Sequence, residues 1–247
     1  MPVPCLPNAG ELSVDGFTIL RRVFTRYECL QIARELQDVL SHCSDVATSL
    51  RRSNGAIYGA RNLIAIFPAA KAWWQKAVLI DFLTQILGPE FGLVRGLFFD
   101  KPPDGNWSLP WHQDLTIAVA DHTLPSEHFR NRTKKAGVPH VEAADELLRQ
   151  MLTLRIHLDD VTNDNGPLQV LPGTHIGRNV EPAYQPPVTI LATAGDVLAM
   201  RPLLSHSSGP SITGTTRHRR VIHLEFAASP ELPDGYRWHE FHSGISR

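Results

Sequence analysis

The residues best equipped for chemistry in this sequence are His112 and Asp114, two positions apart in Trp111-His112-Gln113-Asp114. On a β-strand the side chains at i and i+2 leave the same face, so the imidazole and the carboxylate converge. One further histidine would complete a set of two imidazoles and one carboxylate on one face of an octahedron. Such a set suits Fe(II) and leaves the other positions open for a cosubstrate, O2 or water. His206 is the candidate for the third ligand, and His175, just after the turn Pro172-Gly173-Thr174, is its competitor. A His-x-Asp pair alone is weak evidence, because 12 histidines and 25 acidic residues produce one by chance. The surroundings have to carry the rest.

Those of His206 are informative. Beyond it come Ser207-Ser208-Gly209-Pro210, a polar loop, and then Arg217-His218-Arg219-Arg220 leading into Val221-Ile222-His223-Leu224-Glu225-Phe226. On a strand, Arg219, Val221, His223 and Glu225 share one face, and Arg220, Ile222, Leu224 and Phe226 share the other. A guanidinium matches a carboxylate in a two-point contact. An arginine close behind the second histidine therefore implies a small diacid, one end on the metal and the other on the arginine. The alternative is a solvated basic cluster at the start of a strand, which at least two of the three arginines should be. Arg95, Lys101, Arg155 and His157 also fall in or at the ends of apolar runs. Charges there need partners, since burying them alone is costly. Arg155, with Lys101, either binds a carboxylate of a ligand or pairs with Asp159, Asp160 or Glu225.

The elements that position these residues are largely short strands. From residue 93 onward, β-prone runs alternate with Gly, Pro, Asn and Asp clusters: Leu93 to Phe99, Leu115 to Val119, Leu152 to Leu158, Leu168 to Leu171, Val188 to Leu191, Val197 to Met200 and Arg219 to Phe226. This punctuation predicts a sandwich or jelly roll rather than alternating β and α units. Residues 121–150 form a long polar interruption after the His-x-Asp run, a candidate lid or substrate loop.

Before residue 93 the pattern is mainly helical, so residues 1–92 are expected to form a helical support for a jelly-roll core over 93–230, all in a single domain. Residues 1–12, with Pro2, Pro4 and Pro7, read as an extended surface segment leading to a strand at Phe17 to Leu20. Thr25-Arg26-Tyr27-Glu28 reads as a capping box opening an amphipathic helix over 26–42. A second helix is expected over 68–87, with an apolar stripe through Trp74, Val78, Phe82 and Ile86 and a C-cap at Gly88. Between the helices, residues 44–66 carry Arg51, Arg52, Gly55, Gly59, Arg61 and Asn62. They are either a solvated loop or a loop folded over the mouth of a site; for Arg51 and Arg52 the solvated reading is preferred.

Composition narrows the function classes. A chain of 247 residues with 43% hydrophobic and 20% charged residues can bury a full core. A formal net charge of −1 gives no reason to expect nucleic acid or an anionic membrane as a partner. The three cysteines, Cys5, Cys29 and Cys43, form no C-x-x-C pair, which argues against a disulfide framework or a zinc-thiolate site. No run approaches the length of a membrane span and the start lacks the regions of a signal peptide, so, together with the cysteine pattern, a cytoplasmic protein is expected.

Taken together, His112-Gln113-Asp114, Asn165-Gly166-Pro167 with Pro172-Gly173-Thr174-His175, Gly195-Asp196, and His206-Ser207-Ser208-Gly209-Pro210 followed by Arg219-Arg220 resemble the phytanoyl-CoA dioxygenase family. The resemblance runs from about Asp15 to Phe226. It implies a double-stranded β-helix, a cupin-like jelly roll, and a dioxygenase using Fe(II), 2-oxoglutarate and O2. Carried over residue by residue, it makes His112, Asp114 and His206 the iron ligands, Arg219 the clamp on the distal carboxylate of 2-oxoglutarate, and Ser208 its assistant. The loop between His206 and Arg219 is longer than in several members, which leaves Arg217 as the other candidate clamp; strand phasing favours Arg219. The implied reaction hydroxylates a C–H bond of a small organic substrate, with succinate and CO2 as the other products. Related halogenases carry a small residue where Asp114 stands, so its presence implies hydroxylation. Lys101 is assigned to the cosubstrate, and Arg155 and His157 to the substrate. The rivals are a Zn(II) or Mn(II) hydrolase or isomerase on the same fold, which has no need of a diacid clamp, and a metal-free binding protein.

Overall fold

A computed structural model describes residues 9–43, 49–51, 57–103, 107–178 and 186–244. Pro2, Pro4, Pro7, Arg52 and Gly55 lie outside the described residues. The helices are α1 (Ala9–Asp15), α2 (Arg26–His42), α3 (Leu63–Ile66), α4 (Ala77–Leu87) and α5 (Asp145–Arg149). The strands of the first half are β1 (Phe17–Leu20), β2 (Ser49–Arg51), β3 (Ile57–Ala60), β4 (Gly92–Lys101), β5 (Leu109–His112), β6 (Thr116–Ala118), β7 (Phe129–Lys135) and β8 (Val138–Ala143). Those of the second half are β9 (Met151–His157), β10 (Leu168–Val170), β11 (Val188–Ile190), β12 (Val197–Met200), β13 (His206–Ser208), β14 (Arg219–Ala227) and β15 (His242–Ser243).

All seven strands expected after residue 92 are present. Six of them, joined by β1, β2, β3, β5, β13 and β15, form an antiparallel large sheet in the order β1-β12-β9-β14-β4-β3-β2, with β15 also on β4, and a small sheet in the order β11-β10-β13-β5. From β9 onward the chain crosses repeatedly between them: β9 lies in the large sheet, β10 and β11 in the small, then β12 large, β13 small and β14 large. That winding is the expected double-stranded β-helix.

The large sheet is covered on both faces, which is why β9 is buried at every position. Leu152, Leu154 and Ile156 of β9 and Ile222, Leu224 and Phe226 of β14 pack with α2 and α4 residues in the main core. The intervening residues, Arg155 on β9 and Arg219, Val221, His223 and Glu225 on β14, look the other way, into a cavity. Leu168, Val170 and Ile190 of the small sheet meet Leu198 and Met200 of the large one to close the second core. The turn before β12 depends on Gly195. Its φ is +97°, and a Cβ there would stand 2.0 Å from the Phe24 carbonyl oxygen.

Helix α2 spans residues 26–42 as expected, with both halves of its capping box made: Thr25 Oγ1 accepts from the Glu28 amide, and Glu28 accepts from the Thr25 amide at 2.7 Å. Four expectations need correction. Residues 9–15 are helical rather than extended, because Leu12 has a core place to fill (1% exposed). The first 92 residues supply β2 and β3 besides the expected strand β1, with β1 pairing β12 and β3 pairing β4. The helix expected over 68–87 is broken into a 3-10 turn at Pro68–Ala72 and α4, with Lys76 extended between them. Trp74 accounts for the break: it is 1% exposed and stacks edge-on against Phe91 and Phe226, a position a continuous helix would not reach. The buried stripe accordingly runs through Leu79, Phe82, Leu83 and Leu87, with Val78 and Ile86 at its margin, and Gly88 caps the helix. Finally, residues 121–150 are a built element rather than a long polar loop. The β7–β8 hairpin turns at Ala136-Gly137, both with positive φ, and joins β6 in a third sheet over its own apolar cluster. No helix among the described residues is long and apolar enough to cross a membrane.

Candidate metal centre and the cavity around it

His112 ends β5 and His206 begins β13, and the two are direct cross-strand partners in the small sheet. Their ring centroids lie 4.2 Å apart. Asp114 is not on the strand, which stops at His112. Its amide donates to the Pro202 carbonyl at 2.9 Å, and this bond turns the chain so that its carboxylate reaches the rings, with Oδ2 3.7 Å from His206 Nε2. Gln113 points away, as expected, and anchors the turn by donating to the Gly177 and Leu203 carbonyls. The three residues offer ligand atoms that all lie within 4.8 Å of one another.

The protonation of the rings follows from their partners. His112 Nδ1 is 2.8 Å from the Pro110 carbonyl oxygen, and His206 Nδ1 is 2.8 Å from that of Leu204. A carbonyl can only accept, so each Nδ1 carries a proton, and in the neutral ring each Nε2 then keeps its lone pair. Two lone pairs and a carboxylate facing one another repel unless a cation sits between them. Burial holds the His206 pKa below its ordinary value, which favours this neutral form. The donor set and the carbonyl bonds behind it therefore fit a divalent metal bound through Nε2, Nε2 and a carboxylate oxygen. His175 is elsewhere, with its Nε2 3.2 Å from the Ser13 carbonyl oxygen beside α1.

These groups open onto a cavity of about 660 Å³, within the usual size for a small-ligand site. Leu97, Phe99, Leu109, Leu168 and Val221 give it apolar walls. Arg219, at the first position of β14, faces inward and is 3% exposed, while its Nε and Nη1 have no hydrogen-bond partner. Its neighbours are spoken for: Arg220 clamps Asp159 with contacts at 2.6 and 2.8 Å, and the half-exposed Arg217 lies 3.6 Å from Asp164. Strand phasing thus puts Arg219, and not Arg217, in the cavity. Burial drops the Arg219 pKa to about 10, and the guanidinium stays charged at neutral pH. Ser208 Oγ is likewise buried without a partner on the cavity wall.

Lys101 is opposite Arg219 in the sheet register and fully buried. Its Nζ donates to the Gly209 carbonyl at 2.7 Å and lies 4.4 Å from the centroid of the Trp107 ring. Burial, then the charges of Arg219 and Arg155, bring its pKa down to about 7. Gly166 makes room for it, since a Cβ there would stand 2.8 Å from the ammonium. Arg155 lines the cavity, and the acidic partners considered for it are taken: Asp159 by Arg220, Asp160 by Arg26 and Glu225 by Arg95. Among the described residues its one hydrogen bond runs from Nη1 to His223 Nε2 at 2.9 Å, and its Nε has none. His157, expected at the substrate, does not reach the cavity. It is 1% exposed below Arg155, with neither ring nitrogen hydrogen-bonded. The sequence reading also missed His223, Trp107, Thr116, Lys135 and Glu225 as wall residues. His223 and Glu225 were legible from their phase with Arg219; Thr116 opens β6 within the expected strand Leu115 to Val119, Trp107 comes from a loop, and Lys135 from a hairpin with no strong strand signal.

A model of the family described as phytanoyl-CoA dioxygenase (PhyH) matches residues 12–219. The chain belongs to that family. Members of the phytanoyl-CoA dioxygenase family are Fe(II)- and 2-oxoglutarate-dependent oxygenases, so iron, 2-oxoglutarate and O2 are the cofactors this cavity has to accommodate. Among curated proteins, the chain is 25% identical to a probable alpha-ketoglutarate-dependent hypophosphite dioxygenase of Stutzerimonas stutzeri, covering 88% of this chain and 77% of that one. Among solved structures it is similar to EctD from S. alaskensis in its apo form (TM-score 0.67, 19% identity, 89% of this chain and 75% of that one). It is also similar to the non-heme alpha-ketoglutarate-dependent epimerase SnoN from nogalamycin biosynthesis (TM-score 0.65, 17% identity, 92% and 84%). At these identities the structures establish the shared fold, the jelly roll the motifs implied.

Proposed function

We propose that this member of the family hydroxylates a C–H bond of a small organic molecule, with conversion of 2-oxoglutarate to succinate and CO2. His112 Nε2, His206 Nε2 and a carboxylate oxygen of Asp114 hold Fe(II). Arg219 pairs with the distal carboxylate of 2-oxoglutarate, Ser208 donates its hydroxyl to the same group, and Lys101 adds positive charge behind it. Arg155, steadied by His223, keeps further donors for a bound acid. The observation that carries this reading is the meeting, in one cavity, of three metal-donor atoms within 4.8 Å with a buried guanidinium whose Nε and Nη1 have no partner. A buried, unpaired cation is costly, and a dicarboxylate long enough to bridge it to the metal removes that cost.

When bound, the iron supplies the activation of O2. The three protein donors would leave the metal's other positions to its ligands, Leu97, Phe99 and Val221 give the surrounding walls an apolar character, and Arg219 and Arg155 would orient the organic acids.

The test is anaerobic visible absorption of the apo-protein titrated with Fe(II) and then with 2-oxoglutarate. A weak charge-transfer band that needs both additions, and that is absent in His112→Ala and Arg219→Ala, is the expected result. No band, together with tight Zn(II) or Mn(II) binding indifferent to 2-oxoglutarate, would overturn the proposal in favour of a non-redox metalloenzyme.

A further inference from the structure

The cavity has a second charged end. Along β14 the inward residues run from Arg219 to Glu225, six positions at ~3.4 Å each, so roughly 20 Å separate the two along the strand. At the Glu225 end three distant stretches of chain bring in Arg61, Arg95 and Lys135. Arg95 pairs with Glu225 at 3.4 Å. Lys135, the last residue of β7, donates to Thr116 Oγ1 at 2.9 Å, two positions after Asp114. The turn carrying Arg61 is tied to the hairpin by Asn62 Nδ2, which donates to the Ala136 carbonyl at 3.2 Å. His140, buried in β8, adds no charge of its own. Burial and the neighbouring Arg95, Lys135 and Arg61 hold its pKa at about 4, so the ring is neutral.

The charges of the cavity do not balance. Its walls carry Arg61, Arg95, Lys135, Arg155 and Arg219 against Asp114 and Glu225. Glu225 belongs to Arg95, and Asp114 to the metal on the reading above. A 2-oxoglutarate dianion answers the Arg219 end alone. Arg61 and Lys135 then have no ion pair within 4 Å among the described residues, and burial presses the Lys135 pKa below its ordinary value. Cations held in a partly enclosed, apolar-walled site favour the arrival of an anion.

We propose that Arg61 and Lys135, backed by Arg95, form a substrate subsite for an oxyanion head group, carboxylate or phosphonate. The primary substrate is thus a small organic acid whose apolar body lies along Leu97 toward the metal. This rests on the oxygenase reading for the placement of metal and cosubstrate. The geometry explains why the hairpin matters: without β7, Lys135 would not face the metal centre at all.

Calorimetric titration of Zn(II)-loaded protein saturated with 2-oxoglutarate tests the subsite, with phenylphosphonate, benzoate and neutral benzamide as probes. At least one oxyanion is expected to bind saturably without displacing 2-oxoglutarate, and benzamide at least about tenfold more weakly. The double variant Arg61→Gln/Lys135→Gln should weaken oxyanion binding by at least about tenfold while 2-oxoglutarate affinity stays within about twofold, and Arg61→Lys/Lys135→Arg should restore most of it. The tighter of the two oxyanions identifies the head group. No oxyanion binding, equal binding of benzamide, binding indifferent to the double variant, or binding only by displacement of 2-oxoglutarate would each overturn the proposal. Should 2-oxoglutarate itself fail to bind, the cosubstrate reading falls; the same titrations on metal-loaded protein alone, wild type against double variant, then decide the subsite.

Discussion

The two walls of the cavity carry opposite chemistry. The small sheet, with the turn beyond β5, supplies electron-pair donors: His112, His206 and Asp114. The large sheet supplies charged hydrogen-bond donors: Arg95, Arg155 and Arg219, with His223 and Glu225 among them. The walls also differ in how finished they are. Each metal-side ring is held by a carbonyl two residues back, so local backbone sets the donor geometry before any ligand arrives. On the large sheet Arg155 rests on a histidine and Arg219 keeps Nε and Nη1 unpartnered. One wall is preorganised, and the other keeps buried positive charge that an acidic ligand neutralises.

Breaking the finished wall should have the largest effect. His206→Ala removes one of the three proposed ligands and is expected to lower Fe(II) affinity by more than about 100-fold, beyond what loss of an outer partner costs; competition against a chelator measures it. On the unfinished wall, Arg219→Ala should raise the KM for 2-oxoglutarate by roughly 30-fold or more, the range for losing one side of a buried charge pair. Arg217→Ala, outside the cavity, should leave it within about twofold. Equal effects of the two would mean that strand phasing has identified the wrong clamp.

Smaller changes sharpen the contrast. His223→Leu takes away the partner of Arg155 and should cost about 1–3 kcal/mol in chemical denaturation, as expected for a buried donor left unsatisfied. The pH dependence of stability reports Lys101. Its pKa is about 7 in the fold against 10.5 for an ordinary lysine, so between those values the unfolded chain binds more protons and stability rises with pH. Below about pH 7 both states are protonated and the burial penalty is fully present. Lys101→Met should abolish that rise, read as Tm from pH 6.5 to 9.5. The smallest effect belongs far from both walls. Thr25→Ala removes the cap of α2, should cost about 1 kcal/mol, and should leave ligand binding untouched.

Local rules carried the reading furthest where a feature is local. The capping box at Thr25 and Glu28, the alternation along β14, and the Gly195 turn each depend on neighbours a few residues away, and each appears as expected. The helix over 68–87 failed because a distant contact, Trp74 on Phe91 and Phe226, outweighed helical periodicity. The hairpin at 129–143 was not legible because six of the seven β7 residues are polar, and Arg130 to Lys134 are exposed on both faces of the strand. It presents almost no apolar alternation to read.

By itself, then, the amino-acid sequence narrowed the fold to a sandwich or jelly roll and set the inward phase of Arg219, because short-range periodicity encodes both, while the resemblance of its motifs to the family pointed to the jelly roll and to His112, Asp114 and His206. Tertiary structure alone decided that Asp114 reaches the rings from a turn rather than a strand, that Arg155 meets His223 instead of an acid, and that His157 stays below the cavity. It also decided that Arg61, Arg95 and Lys135 face one space. Those outcomes depend on which strands become neighbours and which carboxylates other arginines have already taken, and pairings across dozens of residues leave no period in the chain to reveal them.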